Sequence, residues 1–215
     1  MNLGSTVKVE GMTFSTPAPP NHHARYPRFR GLGGAVAGLT MTIGREGDAR
    51  LAAGLTGLTP DDHLVDIGCG PGAAARFAAH RGARVTAVDP AAVMLDLARR
   101  LTRSSTSVTY LDGAAEVLPL ADASATVAWA LATVHHWPEL DQALAEVARV
   151  LASGGRFVAI ERHTRPGATG HASHGWTRDQ ADAFAGLLDG AGFTNITVAA
   201  HAGRRRLMSV LAHRP

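Results

Sequence analysis

The sequence predicts an α/β fold: a doubly wound, mostly parallel sheet with helices on both faces. Three observations carry that prediction. From residue 61 onward, short apolar runs alternate with segments of helical period, the pattern of a parallel sheet covered on both sides. The first of those runs ends in the glycine-rich turn Gly68-Cys69-Gly70-Pro71-Gly72. Near the C-terminus, two strand-like runs are joined by so few residues that they must pair antiparallel.

The elements follow in order. Residues 1–30 are rich in Pro, His and Arg (Pro17, Pro19, Pro20, His22, His23, Arg25, Arg28, Arg30) and predict an arm with little structure of its own, or structure only on docking. Gly33 to Leu58 reads as helical in two pieces, broken near Gly44 to Gly47. The first piece, Gly34 to Ile43, is apolar and uncharged; the second, Asp48 to Leu58, opens on an N-cap-type residue and ends near Gly57. Thr59-Pro60-Asp61-Asp62 is a turn. Strands are expected at Leu64–Ile67, Arg84–Val88, Ser107–Leu111, Ala125–Leu131 and Arg156–Ile160, and the fourth is uncharged and therefore central. Helices are expected at Ala73–Arg81, Ala91–Arg103 and Leu140–Leu151, the last stopped by Ser153-Gly154-Gly155. A helix over Arg178–Ala191 precedes the antiparallel runs Asn195–Ala200 and Arg206–Leu211.

Composition narrows the class. With 215 residues, 46% hydrophobic and 18% charged, the chain can bury a sizeable core and is not wholly disordered. Its 40 alanines and 24 glycines suit close packing of helices on a sheet. Lys8 is the only lysine among 21 cations. With few groups titrating in the alkaline range, a charge of +3 gives a pI near 9.7, which is no evidence for nucleic-acid binding. The single cysteine, Cys69, excludes an intramolecular disulfide and a four-cysteine zinc site, and predicts a reducing, cytoplasmic setting. No run of 18 apolar residues could span a bilayer. Met1 to Pro20 lacks the apolar stretch of a secretory signal.

The glycine-rich turn sits between a strand and a helix, where glycines let the chain turn sharply and let a ligand approach the backbone. Asp89 ends the next strand, where a carboxylate can accept hydrogen bonds from both hydroxyls of a ribose. These two signals leave two ligand classes open. Gly68, Gly70 and Ala73 satisfy the dinucleotide form; S-adenosylmethionine, which has no phosphate, is the other.

Four further segments bear on that choice. Asp66-Ile67-Gly68-Cys69-Gly70-Pro71-Gly72 is similar to the first motif of class I S-adenosylmethionine-dependent methyltransferases. Glu116-Val117-Leu118-Pro119-Leu120-Ala121-Asp122 resembles the E-x-L-P-F-x-D stretch of their small-molecule branch, which includes the quinone-biosynthesis methyltransferases. Val134-His135-His136-Trp137 resembles their paired-histidine segment. Leu144 to Gly155 resembles the E-x-x-R-V-L-x-P-G-G helix, with Ser153 in place of the proline. The resemblance covers about residues 60–162 and implies a Rossmann-like, mostly parallel seven-stranded sheet with a reversed C-terminal strand. It divides the chain into an arm (1–30) and a single domain (31–215), with a helical cover at 31–58, a cofactor-binding core at 61–162 and a C-terminal helix with antiparallel strands at 178–215.

The resemblance implies S-adenosylmethionine as cofactor and S-adenosylhomocysteine as its product form. Asp66 and Gly68 would hold the methionine end, with Cys69, Gly70 and Gly72 shaping the loop, Asp89 on the ribose, and Pro90 and Ala91 beside the adenine. Gly113, Ala114 and Ala115 stand where family members often read G-D-A, so the adenine is expected against the backbone there rather than on Asp112. Ala130 would lie at the same site. The implied reaction is methyl transfer to a small-molecule acceptor by in-line displacement, driven mainly by proximity and orientation.

Acceptor-side candidates come from the ends of the fourth and fifth strands: Trp129, Ala130, Thr133, His135, His136, Trp137, Glu161, Arg162 and His163. His135 is the named base, although paired histidines that only fix the turn are the blander reading. His163, His171 and His174 beside Glu161 could bind a transition metal, but solvated loop side chains fit better, and no metal site is expected. The competing functions are a cofactor-binding module without catalysis, a nucleic-acid methyltransferase and a nicotinamide-dependent oxidoreductase. Charge is segmental: +3 over residues 1–60, −3 over 61–160 and +3 over 161–215. An acidic core suits a sulfonium cation, and basic flanks suit an anionic small acceptor rather than nucleic acid.

Overall fold

Three apolar runs, β1 (His63–Ile67), β2 (Arg84–Asp89) and β4 (Ala125–Leu131), are almost entirely buried, as strands covered on both faces must be. β3 (Val108–Asp112) is half-exposed. β5 (Leu151–Arg162), β6 (Thr194–His201) and β7 (Leu207–His213) complete one sheet of order β3-β2-β1-β4-β5-β7-β6. β1 to β5 pair in parallel, and β7 runs antiparallel to both its neighbours. The chain builds outward from β1 to β3 and then crosses back to β4, so the β1/β4 junction is the crevice where such sheets bind ligands. The computed structural model describes residues 8–9, 12–13, 19–24, 45–102 and 108–215. The expected apolar helix over 34–43 and most of the 1–30 arm lie outside the described residues.

Helices α1 (Arg45–Thr56), α2 (Ala73–His80) and α3 (Ala92–Leu101) cover one face. Their alanines at 49, 52, 75, 78 and 98 are fully buried, which lets the helix backbones lie close to the sheet. α4 (Leu140–Val150) and α5 (Arg178–Gly190) cover the other face, where Phe157, Trp176, Phe184 and Phe193 fill the wider gap. α5 starts with a reciprocal capping box between Thr177 and Gln180.

Two boundaries differ from expectation. α1 runs through Gly47, because Glu46 and Asp48 in its first turn complement the helix dipole. β5 begins at Leu151, directly after α4, rather than at Arg156. There Arg214 exchanges backbone hydrogen bonds with Gly154 and Gly155 at 2.9 Å each, and its guanidinium bonds to the Leu151 carbonyl. The chain end therefore extends the strand past the glycines.

The Glu116–Asp122 stretch is a clamp. Arg149 on α4 donates to Glu146 (2.6 Å), Asp122 (2.7 Å) and the carbonyls of Leu118 (3.0 Å) and Leu120 (2.8 Å). Glu146 in turn accepts from Leu118 N at 2.8 Å. Two of the sequence motifs thus explain each other structurally, by fastening the loop after β3 to α4.

Candidate active site

The glycine-rich loop is held against its neighbours at two positions. Gly68 has φ +69°, and a Cβ there would overlap the Thr133 side chain at the end of β4. Gly72 has φ +73°, and a Cβ there would overlap the Tyr110 hydroxyl on β3. Only glycine meets both demands without strain. Asp89 then braces the loop: its carboxylate accepts from Gly70 N and Ala91 N, both at 2.8 Å.

The loop and the ends of β1, β2 and β4 enclose a cavity of about 720 Å³, counted with its open mouth. Asp66, Gly68, Cys69, Gly70 and Asp89 line it, with Met94, Leu131 and Thr133 opposite. Burial, and then the negative charges of Asp66 and Asp89, push the Cys69 thiol well above its ordinary range. It is therefore not a nucleophile, and the same two carboxylates favour a cation in the cavity.

Beside it lies a second cavity of about 1200 Å³, lined by His135, His136, Glu161, His174 and the arginines 162, 204, 205 and 206. Ala132 and His136 line both cavities. Ala132 itself holds a left-handed backbone at φ +53°, strained for a residue with a Cβ, and donates to the Ile160 carbonyl at 2.7 Å. His135 Nδ1 donates to Glu161 Oε2 at 2.8 Å, with the carboxylate fully buried and the ring 4% exposed. His136 Nδ1 donates to the His23 carbonyl at 3.3 Å. Burial first, and the adjacent His135 second, lower the His136 ring to about 4, so it is neutral near pH 7.

A turn at Pro20–Ala24 docks on this second cavity's wall. His23 N donates to the His135 carbonyl at 2.9 Å, Asn21 donates to the Trp137 carbonyl at 3.1 Å, and Trp176 Nε1 donates to the Pro20 carbonyl at 2.9 Å. The His23 and His174 rings lie 4.2 Å apart. Sequence reading did not join residues 20–24 or His174 to His135; the histidine pair His22-His23 was the available hint.

Other expected site residues lie elsewhere. Ala130 and Ala115 are buried in the core beneath α4 and α5, while Leu131, Ala132 and Thr133 supply the β4 edge of the first cavity. Trp129 is fully buried and bonds Thr56 at 3.3 Å, and Trp137 is 4% exposed in the core, so neither faces an acceptor. Pro90 is exposed and Ala91 caps α3. Gly113 packs against Pro119 and Val88, and Ala114 bridges to Val117. None of these four, nor Asp112, lines the cavity. Gly72 shapes the loop without lining it. His163 lines the second cavity; the His171 side chain lies outside the described residues.

Residues 65–159 match the family model of a methyltransferase domain. The chain carries a class I methyltransferase domain. Over 102 residues it is 39% identical to the ubiquinone/menaquinone biosynthesis C-methyltransferase UbiE of Rubrivivax gelatinosus, covering 47% of this chain and 40% of that protein. Over 130 residues it is 35% identical to the malonyl-[acyl-carrier protein] O-methyltransferase of Serratia marcescens, covering 60% of this chain and 48% of that protein. The chain thus spans less than half the length of either relative. The crystal structure of a SAM dependent methyltransferase from Aquifex aeolicus has a TM-score of 0.72 at 16% identity, covering 84% of this chain and 98% of that one; this likeness shows the fold.

S-adenosylmethionine is the cofactor of this domain class, and the first cavity of the methyltransferase domain fits it. A ligand with a sulfonium and an ammonium group suits walls carrying two carboxylates. A carboxylate has about four acceptor sites, so the two backbone bonds to Asp89 are compatible with ribose hydroxyls. Met94 and Leu131 offer apolar contact for the base. Among the described residues no helix is long and apolar enough to cross a membrane.

Proposed function

We propose that the chain transfers a methyl group from S-adenosylmethionine to a small anionic acceptor. The observation that carries this reading is the junction of two cavities at Ala132 and His136, one walled by carboxylates and the other rimmed by four arginines. When bound, S-adenosylmethionine supplies an electrophilic methyl on a positive sulfur. Asp66, Gly68, Gly70 and Asp89 hold and orient it, and Thr133 and Ala132 set the wall facing the acceptor. Holding both reactants in line supplies about 7–11 kcal/mol of the barrier reduction. Arg162, Arg204, Arg205 and Arg206 draw an anionic acceptor into a concave site, a geometry that suits a small molecule better than a nucleic-acid backbone.

His135 is the candidate base. Glu161 holds the proton on Nδ1, which leaves Nε2 as the basic nitrogen toward the acceptor. The lone, buried Cys69 supports a reducing, cytoplasmic setting.

The test is transfer of labelled methyl from S-adenosylmethionine to a panel of phenols and enols, each with and without a carboxylate. Label is expected on the carboxylate-bearing members. Transfer to neutral members alone would remove the anionic acceptor. Cofactor binding without transfer to any compound would favour a binding module.

A further inference from the structure

We infer that His135, His136 and His174 bind one divalent transition-metal ion, of the zinc or cobalt class, where the two cavities meet. One ligand nitrogen from each of the three lies within 4.8 Å of the other two. The sequence reading had weighed His174 with His163 and His171; the fold instead brings His174 to His135 and His136, residues 38 and 39 positions earlier.

The hydrogen bonds prepare two of the three rings for this role. His135 Nδ1–H is fixed on a fully buried carboxylate, and His136 Nδ1–H points to a backbone carbonyl. Both arrangements put the lone pair on Nε2, and a ring N–H on a carboxylate or carbonyl is the usual support behind a metal-bound histidine. Imidazole also has to be neutral to ligate, and the lowered His136 ring satisfies that.

The spacing is close to what is needed. Ligand nitrogens at about 2.0–2.1 Å from zinc in a tetrahedron stand roughly 3.3 Å apart, so small side-chain rotations close the set. All three histidines line the 1200 Å³ cavity, which gives the ion an entry path and leaves its fourth position open to a ligand. Three protein ligands with one open position is the form of a catalytic rather than a structural site.

The role of the ion rests on the methyltransferase reading; its binding does not. An acceptor hydroxyl on the open position becomes more acidic: its O–H bond breaks, the proton leaves to solvent through the cavity mouth, and the charge stays on oxygen beside the arginines. This deepens the acceptor class to anionic compounds with a metal-binding hydroxyl, such as a phenol or enol next to a carboxylate.

The test is calorimetric titration of the purified chain with zinc and with cobalt, with cobalt also followed by its visible ligand-field absorption. One ion per chain is expected, with the intense visible bands of a nitrogen-bound, low-coordinate cobalt. His174→Ala should weaken binding by about 100-fold or more and Glu161→Gln by about 10–100-fold, while His80→Ala, at an exposed position on α2, leaves it unchanged. S-adenosylhomocysteine binding, which does not involve His174, reports that each variant is folded. Absence of saturable metal binding in wild type, or binding that survives His174→Ala, would overturn the inference. Metal binding without S-adenosylhomocysteine binding would instead overturn the methyltransferase reading alone.

Discussion

The cavity beside the glycine-rich loop is made largely from one continuous stretch, Asp66 to Ala74, closed by Asp89, Met94 and the end of β4. The cavity beside the histidines draws on separate parts of the chain: Asp48, residues 132–136, 160–163, His174 and 204–207. The first is fixed by backbone conformation, since its shape depends on glycines that no other residue can replace. The second is fixed by side-chain hydrogen bonds between distant segments. A site of the first kind tolerates little substitution and holds one invariant ligand; a site of the second kind can be rebuilt side chain by side chain for a different acceptor. The relatives fit that division, since the matched region, residues 65–159, includes the glycine-rich loop and Asp89 but stops before Glu161, His174 and the arginines.

If the two cavities are separate devices, they should fail separately. The largest effect is expected from Glu161→Gln, which removes the charge behind His135: methyl transfer falls by about 100-fold or more, while S-adenosylhomocysteine affinity stays within about a factor of two. Steady-state kinetics and calorimetry on the same sample check this, and an equal loss in both would merge the two devices into one. Next is Gly68→Ala, which sets a Cβ against Thr133 at positive φ and should cost about 2–3 kcal/mol of stability, read by urea unfolding. Adding Thr133→Gly should return part of that loss, because it removes the overlap but not the backbone strain.

A control lies at the opposite end of the sheet. Asp62 accepts from Thr59 N (2.8 Å), Thr59 Oγ1 (3.0 Å) and Thr126 Oγ1 (2.7 Å), and pairs with Arg156. Burial alone would raise its carboxyl, but those hydrogen bonds and the guanidinium outweigh it and hold the group below its ordinary value. Its contribution is therefore full above the unfolded-state value, near pH 4, and is lost as pH falls through the lower folded value. Asp62→Asn should cost about 2 kcal/mol at neutral pH and flatten the acid limb of the stability curve, leaving both cavities' affinities intact. The smallest effect is Asn21→Ala, about 1 kcal/mol, which loosens the docked turn and should raise the acceptor KM without altering cofactor binding.

The same contrast governs what could be read from sequence. Strand order, the reversed last strand and the loop around Gly68–Gly72 were legible because apolar period, turn chemistry and a carboxylate one strand later are local signals. Ala130 was misplaced by a single residue, and one step along a strand turns a side chain to the opposite face; Leu131 faces the cavity instead. The Glu116–Asp122 stretch was visible as a motif but its partner was not: its meaning lies in Arg149, about thirty residues on. The histidine group was illegible because His23 and His135 are brought together by packing across more than a hundred residues, and no periodicity links them.

Calorimetry with S-adenosylhomocysteine on wild type and Asp89→Ala tests the central claim most directly. Wild type should bind one equivalent, and the variant, which loses the carboxylate that braces Gly70 and meets the ribose, should bind at least about 100-fold more weakly. Equal affinity in the two proteins, or no binding by wild type, would contradict the assignment of the cofactor cavity.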